Sequence, residues 1–378
     1  MTSRYEILVG DAKEKLREIP DQSVHCCVTS PPYWNLRDYD INGQIGLEDT
    51  PEAFVQTLVE VFKEVHRVLR NDGTLFVVLG DSYAQAKGHG HWESRKGKGD
   101  EKGQKTVKRW AKVDASDFGL KPKDLIGIPW KVAFALRDAG YYLRQDLIWA
   151  KGISGPHYRG GSCMPEPVRD RCTRSFENVF MFSKSRYYFY DHEAIKEDAV
   201  SDHAAGNNFK RQEQISKGGP GSEEKCETLY KKRNRRSVWH VEDSTALPLW
   251  LAENHPDILG DFLKEQDPTN VFHVNPQPFK GSHFATFPEA LITPMIRAGT
   301  SSEGVCSSCG APWRTCECEE TTPVPATVLD PFCGSGTTGL VCVKNDRHFI
   351  GVELNPEYAE IAKERIESGI LPYVKLFG

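Results

Sequence analysis

Short apolar runs alternate with amphipathic stretches along much of the chain, and their order predicts a parallel sheet. Residues 5–9 read as an apolar strand ending at Gly10-Asp11, and 12–19 as a helix. After Pro20-Asp21, the run 24–28 reads as a short buried strand. The clearest helix spans 51–69, where Phe54, Leu58, Val61, Phe62, Val65, Val68 and Leu69 recur at spacings of three and four. Thr50 is placed to cap it, Pro51 suits its first position, and Asn71-Asp72-Gly73 is expected to end it. Residues 74–79 then form a buried strand running into Gly80-Asp81. Strand, helix, strand, helix, strand is the order of a parallel α/β sheet.

The pattern lapses twice. Residues 84–123 are rich in Gly, Lys, His and Arg, including Lys87, Arg95, Lys96, Lys108 and Arg109, and read as a basic insertion. Between the lapses come a helix over 129–138 stopped by Gly140, strands over 141–149 and 177–183, and an aromatic-rich 187–190. Residues 197–270 are again polar and irregular, with a basic cluster at Lys231, Lys232, Arg233, Arg235 and Arg236. Val238-Trp239-His240-Val241 and Val271-Phe272-His273-Val274 look alike, as a local duplication or by chance. The sheet grammar returns with a helix from Glu289 to Ile296, strands over 327–330 and 348–352, and a last helix over 356–368 capped by Asn355.

Composition narrows the class. The 378 residues are 39% hydrophobic and 27% charged, ordinary for a soluble protein with one large α/β domain or two. No apolar run resembles a signal peptide or spans a bilayer, so a cytoplasmic protein with no membrane partner is expected. A net charge of -5 argues against coating nucleic acid wholesale but leaves room for a local basic face. Eleven cysteines in such a chain read as reduced thiols, with a metal site among them.

Candidate chemistry lies at two strand ends. After the strand 327–330 comes Pro331-Phe332-Cys333-Gly334-Ser335-Gly336-Thr337-Thr338-Gly339, with Glu353 about twenty residues after Gly334. Gly334, Gly336 and Gly339 fit the dinucleotide pattern, and alone they would suggest an NAD-dependent oxidoreductase. No lysine follows the last glycine, which excludes a nucleoside-triphosphate loop. Only a helix and a short tail follow Glu353, too little chain for a second mononucleotide half. The neighbouring strands must therefore come from the N-terminal part, bringing Asp330, Glu353 and Asp11 to one crevice. Glu353 would take ribose hydroxyls and Asp11 would face an adenine edge, as in a site for one nucleoside-like cofactor.

The second strand end is Thr29-Ser30-Pro31-Pro32-Tyr33-Trp34. Its two prolines lack N–H donors and leave carbonyls that only accept; a hydroxyl precedes them and aromatic rings follow. Such a loop suits an amino group on a flat ring, although a rigid turn with core-packing aromatics has the same composition. With Gly10-Asp11, Asn178 to Lys184, Phe284 to Ile292 and Asp330 to Thr338 in this order, the chain resembles the amino-directed DNA methyltransferases of the beta arrangement.

That resemblance implies a circularly permuted Rossmann-like methyltransferase fold with a mostly parallel seven-stranded sheet and basic insertions. Residues 1–83 and 124–196 would form the catalytic half, and 271–378 the cofactor half. The insertion 197–270 would read the DNA target. It implies S-adenosylmethionine held by Asp11, Phe287, Pro288, Asp330, Phe332, Gly334, Ser335, Gly336, Thr337, Thr338, Glu353 and Asn355. The Ser30 hydroxyl and Pro31 carbonyl would accept the two N–H bonds of a flipped base, with Pro32 shaping the wall and Tyr33 stacking on the ring. Family members with serine at this position tend to modify N4 of cytosine, so that base is favoured and N6 of adenine is the alternative. The chain has no Pro-Cys pair, which a carbon-directed cytosine enzyme would need. Double-stranded DNA is the expected substrate and a cognate restriction endonuclease the expected partner; an idle DNA-binding protein on the same scaffold is a further reading.

Finally, Cys306-x-x-Cys309 followed by Cys316-x-Cys318, in the loop 304–320, offers four thiolates for a structural zinc. The closer spacing of the second pair departs from the usual pattern.

Overall fold

A computed structural model describes residues 4–39, 41–84, 119–154, 159–161, 166, 168–198, 232–240, 287–319 and 321–377. Most of the basic insertion 84–123, most of 197–270 and the segments 271–274 and 284–286 lie outside the described residues.

The principal strands are β1 (Tyr5–Val9), β2 (Val24–Thr29), β3 (Leu69–Leu79), β4 (Tyr142–Ala150), β5 (Phe176–Ser183), β6 (Val238–His240), β7 (Thr327–Asp330) and β8 (His348–Glu353). They form one sheet in the order β1-β8-β7-β2-β3-β5-β4-β6. Every neighbouring pair is parallel except those of β5, which runs antiparallel between β3 and β4. The seven expected strands are joined at the edge by β6, a three-residue strand inside the stretch read from sequence as irregular.

Among the described residues, six helices cover the faces: α1 (Ala12–Leu16), α2 (Pro51–Val68), α3 (Ile128–Asp138), α4 (Glu289–Gly299), α5 (Thr337–Lys344) and α6 (Pro356–Phe377). Strand side chains alternate between the faces. Cys27, Leu75, Val77, Phe180 and Leu329 pack with Leu16, Phe54, Phe62 and Leu136 of α1–α3. Their neighbours Cys26, Val28, Phe76, Val179 and Val328 pack with Leu291, Met295, Val341 and Ile366 of α4–α6. Two-sided burial is why these strands read as continuous apolar runs rather than as alternating ones.

Local differences from expectation have tertiary causes. Helix α2 stops at Val68, because Leu69 turns extended and pairs with Val24; Arg70-Asn71-Asp72-Gly73 then bulges before Thr74 meets Cys26. Helix α1 is only Ala12–Leu16, while α6 runs on to Phe377. The placement that matters for function is that of β2 beside β7, which joins the two ends of the sequence.

Candidate active site

The carboxyl ends of β1, β2, β7 and β8 open into one cavity of about 600 Å³. Open α/β sheets hold their ligands at this edge, where the strand order switches. Ser30, Pro31, Pro32 and Tyr33 line it together with Asp11, Phe287, Asp330, Phe332, Gly334, Ser335, Thr337, Glu353 and Asn355.

A buried carboxylate ties the two halves. Asp330 is 2% exposed and accepts from Thr29 Oγ1 at 2.6 Å, Thr338 Oγ1 at 2.7 Å and the Phe332 N–H at 3.1 Å. Burial pushes its carboxyl up to about 6, opposed by those donors. Thr29 ends the strand that carries Ser30, and Thr338 opens α5 behind the glycine loop. One side chain thereby fixes the Ser-Pro-Pro-Tyr loop relative to the glycine loop.

Glu353, at the end of β8, accepts from the Gly334 N–H at 2.7 Å and the Asn355 N–H at 2.9 Å. Desolvation raises its pKa against those two bonds. Asp11 Oδ1 accepts from the Lys13 and Glu14 N–H groups and caps α1. The glycine loop rests on the N-terminus of α5, with Gly334 at φ 54° and Gly336 at φ 76°. From behind, Arg365 of α6 donates to Ser335 Oγ at 2.9 Å and Thr337 Oγ1 at 2.8 Å. The aromatic walls are Phe332, Phe287 and Tyr39, whose ring meets that of Tyr358 edge-on at 6.4 Å. Acceptor carboxylates, a helix N-terminus and aromatic rings around a cavity of this size fit a nucleoside-bearing cofactor.

Three expected cofactor residues do not line the cavity. Thr338 is fully buried and spends its hydroxyl on Asp330. Gly336 packs on α6, where an added Cβ would lie 3.0 Å from the Ala362 backbone. Pro288 sits at the N-cap of α4. These three residues are placed by packing beside the cavity and not on its wall.

The Ser-Pro-Pro-Tyr loop is held by residues that sequence reading missed. Tyr33 donates to Glu177 Oε2 at 2.7 Å, and Lys151 pairs with the same carboxylate. Burial, followed by the Glu177 charge, raises the Tyr33 phenol well above its usual pKa. Glu177 opens β5 and Lys151 follows β4, each distant in sequence from Ser30; only their flanking of apolar strands marked them. The Tyr33 ring lies against Gly80, where an added Cβ would sit 2.5 Å from Cε2 and 2.9 Å from Cδ2. Gly80→Ala is therefore expected to shift the ring and lower methyl transfer by about 100-fold. S-adenosylhomocysteine affinity, measured by calorimetry, should be unchanged.

The four cysteines also come together. The Sγ atoms of Cys306, Cys309, Cys316 and Cys318 all lie within 4.8 Å of one another. The N–H groups of Ser308 and Cys309 point to Cys306 Sγ, and that of Cys318 to Cys316 Sγ. Arg70 of the β3 bulge donates to the Cys309 carbonyl at 2.7 Å. His25 Nδ1 accepts from the Thr327 N–H, leaving Nε2 to donate to the Gly310 carbonyl. These contacts dock the knuckle at the amino ends of β2 and β7, away from the cavity. Four clustered thiols with N–H donors to sulfur fit a structural zinc and leave no open position for chemistry.

The family model described as DNA methylase matches residues 24–364. The chain belongs to the DNA methylase family. It is 38% identical over 361 residues to the type II methyltransferase M.SmaI of Serratia marcescens, covering 96% of this chain and 90% of that protein. It is likewise 38% identical to M.Cfr9I of Citrobacter freundii, over 95% of this chain and 86% of the relative. Among solved structures, the PvuII DNA methyltransferase, named as cytosine-N4-specific, shares the fold at a TM-score of 0.51 and 18% identity, covering 99% of this chain and 93% of that one. The chain is thus an amino-directed DNA methyltransferase, and the oxidoreductase reading of Gly334 to Glu353 falls away. No helix among the described residues is long and apolar enough to cross a membrane.

Proposed function

We propose that this methyltransferase moves a methyl group from S-adenosylmethionine to N4 of a cytosine turned out of double-stranded DNA. The observation that carries the reading is Ser30, a hydroxyl and not a carboxylate, opening the Pro-Pro loop on the cavity wall beside the glycine loop. An exocyclic amine is a poor nucleophile because its lone pair is delocalised into the ring. Acceptors at Ser30 Oγ and the Pro31 carbonyl favour a tetrahedral nitrogen, and these bonds strengthen as charge develops. A serine hydroxyl, unlike a carboxylate, also carries a hydrogen that the ring N3 of cytosine can accept.

Glu353 and Asp11 would take the ribose and adenine of the cofactor, and Phe287 its methionine end. Bound there, the cofactor supplies an electrophilic methyl group. The protein holds donor and acceptor in contact, and extruding the base costs a few kcal/mol, offset by stacking and hydrogen bonding. The basic stretch 84–123 would contact DNA phosphates, and 197–270 would read the target. A cognate restriction endonuclease sharing that target is the expected partner, in keeping with relatives named type II methyltransferases.

Single-molecule sequencing of DNA from cells expressing the protein tests the reading; modification confined to adenine would refute the choice of base. The cysteine knuckle holds zinc in this account. Protein purified without added metal should carry about one zinc per chain and lose thermal stability when it is chelated. A metal content far below stoichiometric would remove zinc from the account.

A further inference from the structure

The cavity wall contains a line of polar groups that reaches well beyond the Pro-Pro loop. Ser30 Oγ lies 3.5 Å from Tyr33 Oη with serine as the donor, and Tyr33 donates onward to Glu177 Oε2 at 2.7 Å. Lys151 binds the other carboxylate oxygen, and its ammonium sits 4.6 Å from the centre of the Trp149 ring. The Glu177 side chain is 14% exposed and that of Lys151 25%, and both line the cavity with Ser30 and Tyr33. The first contact is long, as hydrogen bonds in unliganded active sites often are, and it would shorten with a base in place.

This direction of donation has a chemical consequence. A hydroxyl that gives its hydrogen to Tyr33 presents only lone pairs on its other side. A serine oxygen is also a weak base, whereas the amine must shed a proton once it is methylated. The other carboxylates lining the cavity accept from other groups: Asp11 from the Lys13 and Glu14 N–H groups, Asp330 from Thr29 and Thr338, Glu353 from the Gly334 and Asn355 N–H groups, and Glu166 from Arg171. Glu177 alone among these is linked to Ser30 by a single hydroxyl.

We propose that Glu177, anchored by Lys151, is a positioning residue that works through Tyr33 to turn the Ser30 lone pairs toward the amine and takes up the proton the amine releases. In the transfer, the sulfur–methyl bond breaks with its electron pair going to sulfur, and a nitrogen–methyl bond forms. The amine proton bonds to Ser30 Oγ as the serine proton passes to Tyr33 Oη and the tyrosine proton to Glu177 Oε2. One proton has then moved from nitrogen to carboxylate, and both hydroxyls are restored. Before the transfer, the donation from Ser30 to Tyr33 leaves the serine lone pairs to the amine; the ring N3 of cytosine can receive the serine hydrogen only when that donation is given up. The role of Glu177 rests on Ser30 being the amine acceptor.

The test is a double-mutant cycle of Glu177→Gln and Tyr33→Phe, using DNA that carries the site found by sequencing. Each single variant is expected to lower kcat roughly 100-fold with little change in KM, and the double variant to fall no further than the worse single. S-adenosylhomocysteine affinity and the fluorescence rise of 2-aminopurine placed at the target, which reports base entry, should match the unaltered protein. If Glu177→Gln does not fold, Tyr33→Phe keeps the Lys151–Glu177 pair and carries the test by the same kcat loss. A kcat within twofold of the unaltered protein in either variant, or losses that multiply in the double, would overturn the role of Glu177. Full activity of Ser30→Ala would instead overturn the amine-acceptor reading beneath it.

Discussion

Ser30→Ala is expected to lose methyl transfer by about 100- to 1,000-fold while it still folds and binds S-adenosylhomocysteine. Ser30 lies on the cavity wall, just beyond the end of β2, and its backbone is held by strand pairing and by the Thr29–Asp330 bond rather than by its own hydroxyl. Removing Oγ deletes an acceptor needed only as the amine becomes tetrahedral, so the loss should fall on kcat and leave KM for DNA nearly unchanged. A stopped assay with methyl-labelled cofactor reads the loss, and circular dichroism confirms the fold.

Gly336→Ala is expected to have the second largest effect, on both stability and cofactor affinity. The residue has φ 76°, a conformation that favours glycine, and an added Cβ would meet the Ala362 Cα at 3.0 Å and its carbonyl oxygen at 3.1 Å. Neither is the flexible end of a side chain, so α5 and α6 must separate. Left-handed strain of roughly 1–2 kcal/mol and overpacking of about 1–3 kcal/mol should combine to destabilise the fold by about 2–5 kcal/mol. The separation would also pull Arg365 from Ser335 and Thr337, loosening the glycine loop. Urea denaturation measures the first effect and calorimetric titration with S-adenosylhomocysteine the second.

The sheet was legible because its strands are buried on both faces and its helices carry clear caps; Thr50 does accept from the Ala53 N–H at the start of α2. The joining of β2 to β7 was legible as well, since acids at successive strand ends, Asp11, Asp330 and Glu353, were expected in one crevice, and the strands pair as that requires. Other features depend on partners far away in sequence. Helix α2 was expected to run through Leu69, but Leu69 is claimed by Val24 across the sheet and the helix stops at Val68. The edge strand Val238–His240 is too short to carry a period of its own.

The site divides in the same manner. The Ser-Pro-Pro-Tyr and glycine loops are contiguous, so their chemistry shows in the sequence. Glu177 stands 144 residues from the tyrosine it holds, and nothing in its neighbourhood marks the pairing. Gly336 and Thr338 match a ligand motif yet serve packing and the Asp330 network, a difference visible only once α6 and β2 are in place.

The most direct test is mass spectrometry of nucleosides from unmodified DNA incubated with the purified protein and deuteromethyl-labelled S-adenosylmethionine. The account predicts labelled N4-methylcytosine, absent when Ser30→Ala replaces the protein. Label appearing only in N6-methyladenine, or in neither nucleoside, would contradict it.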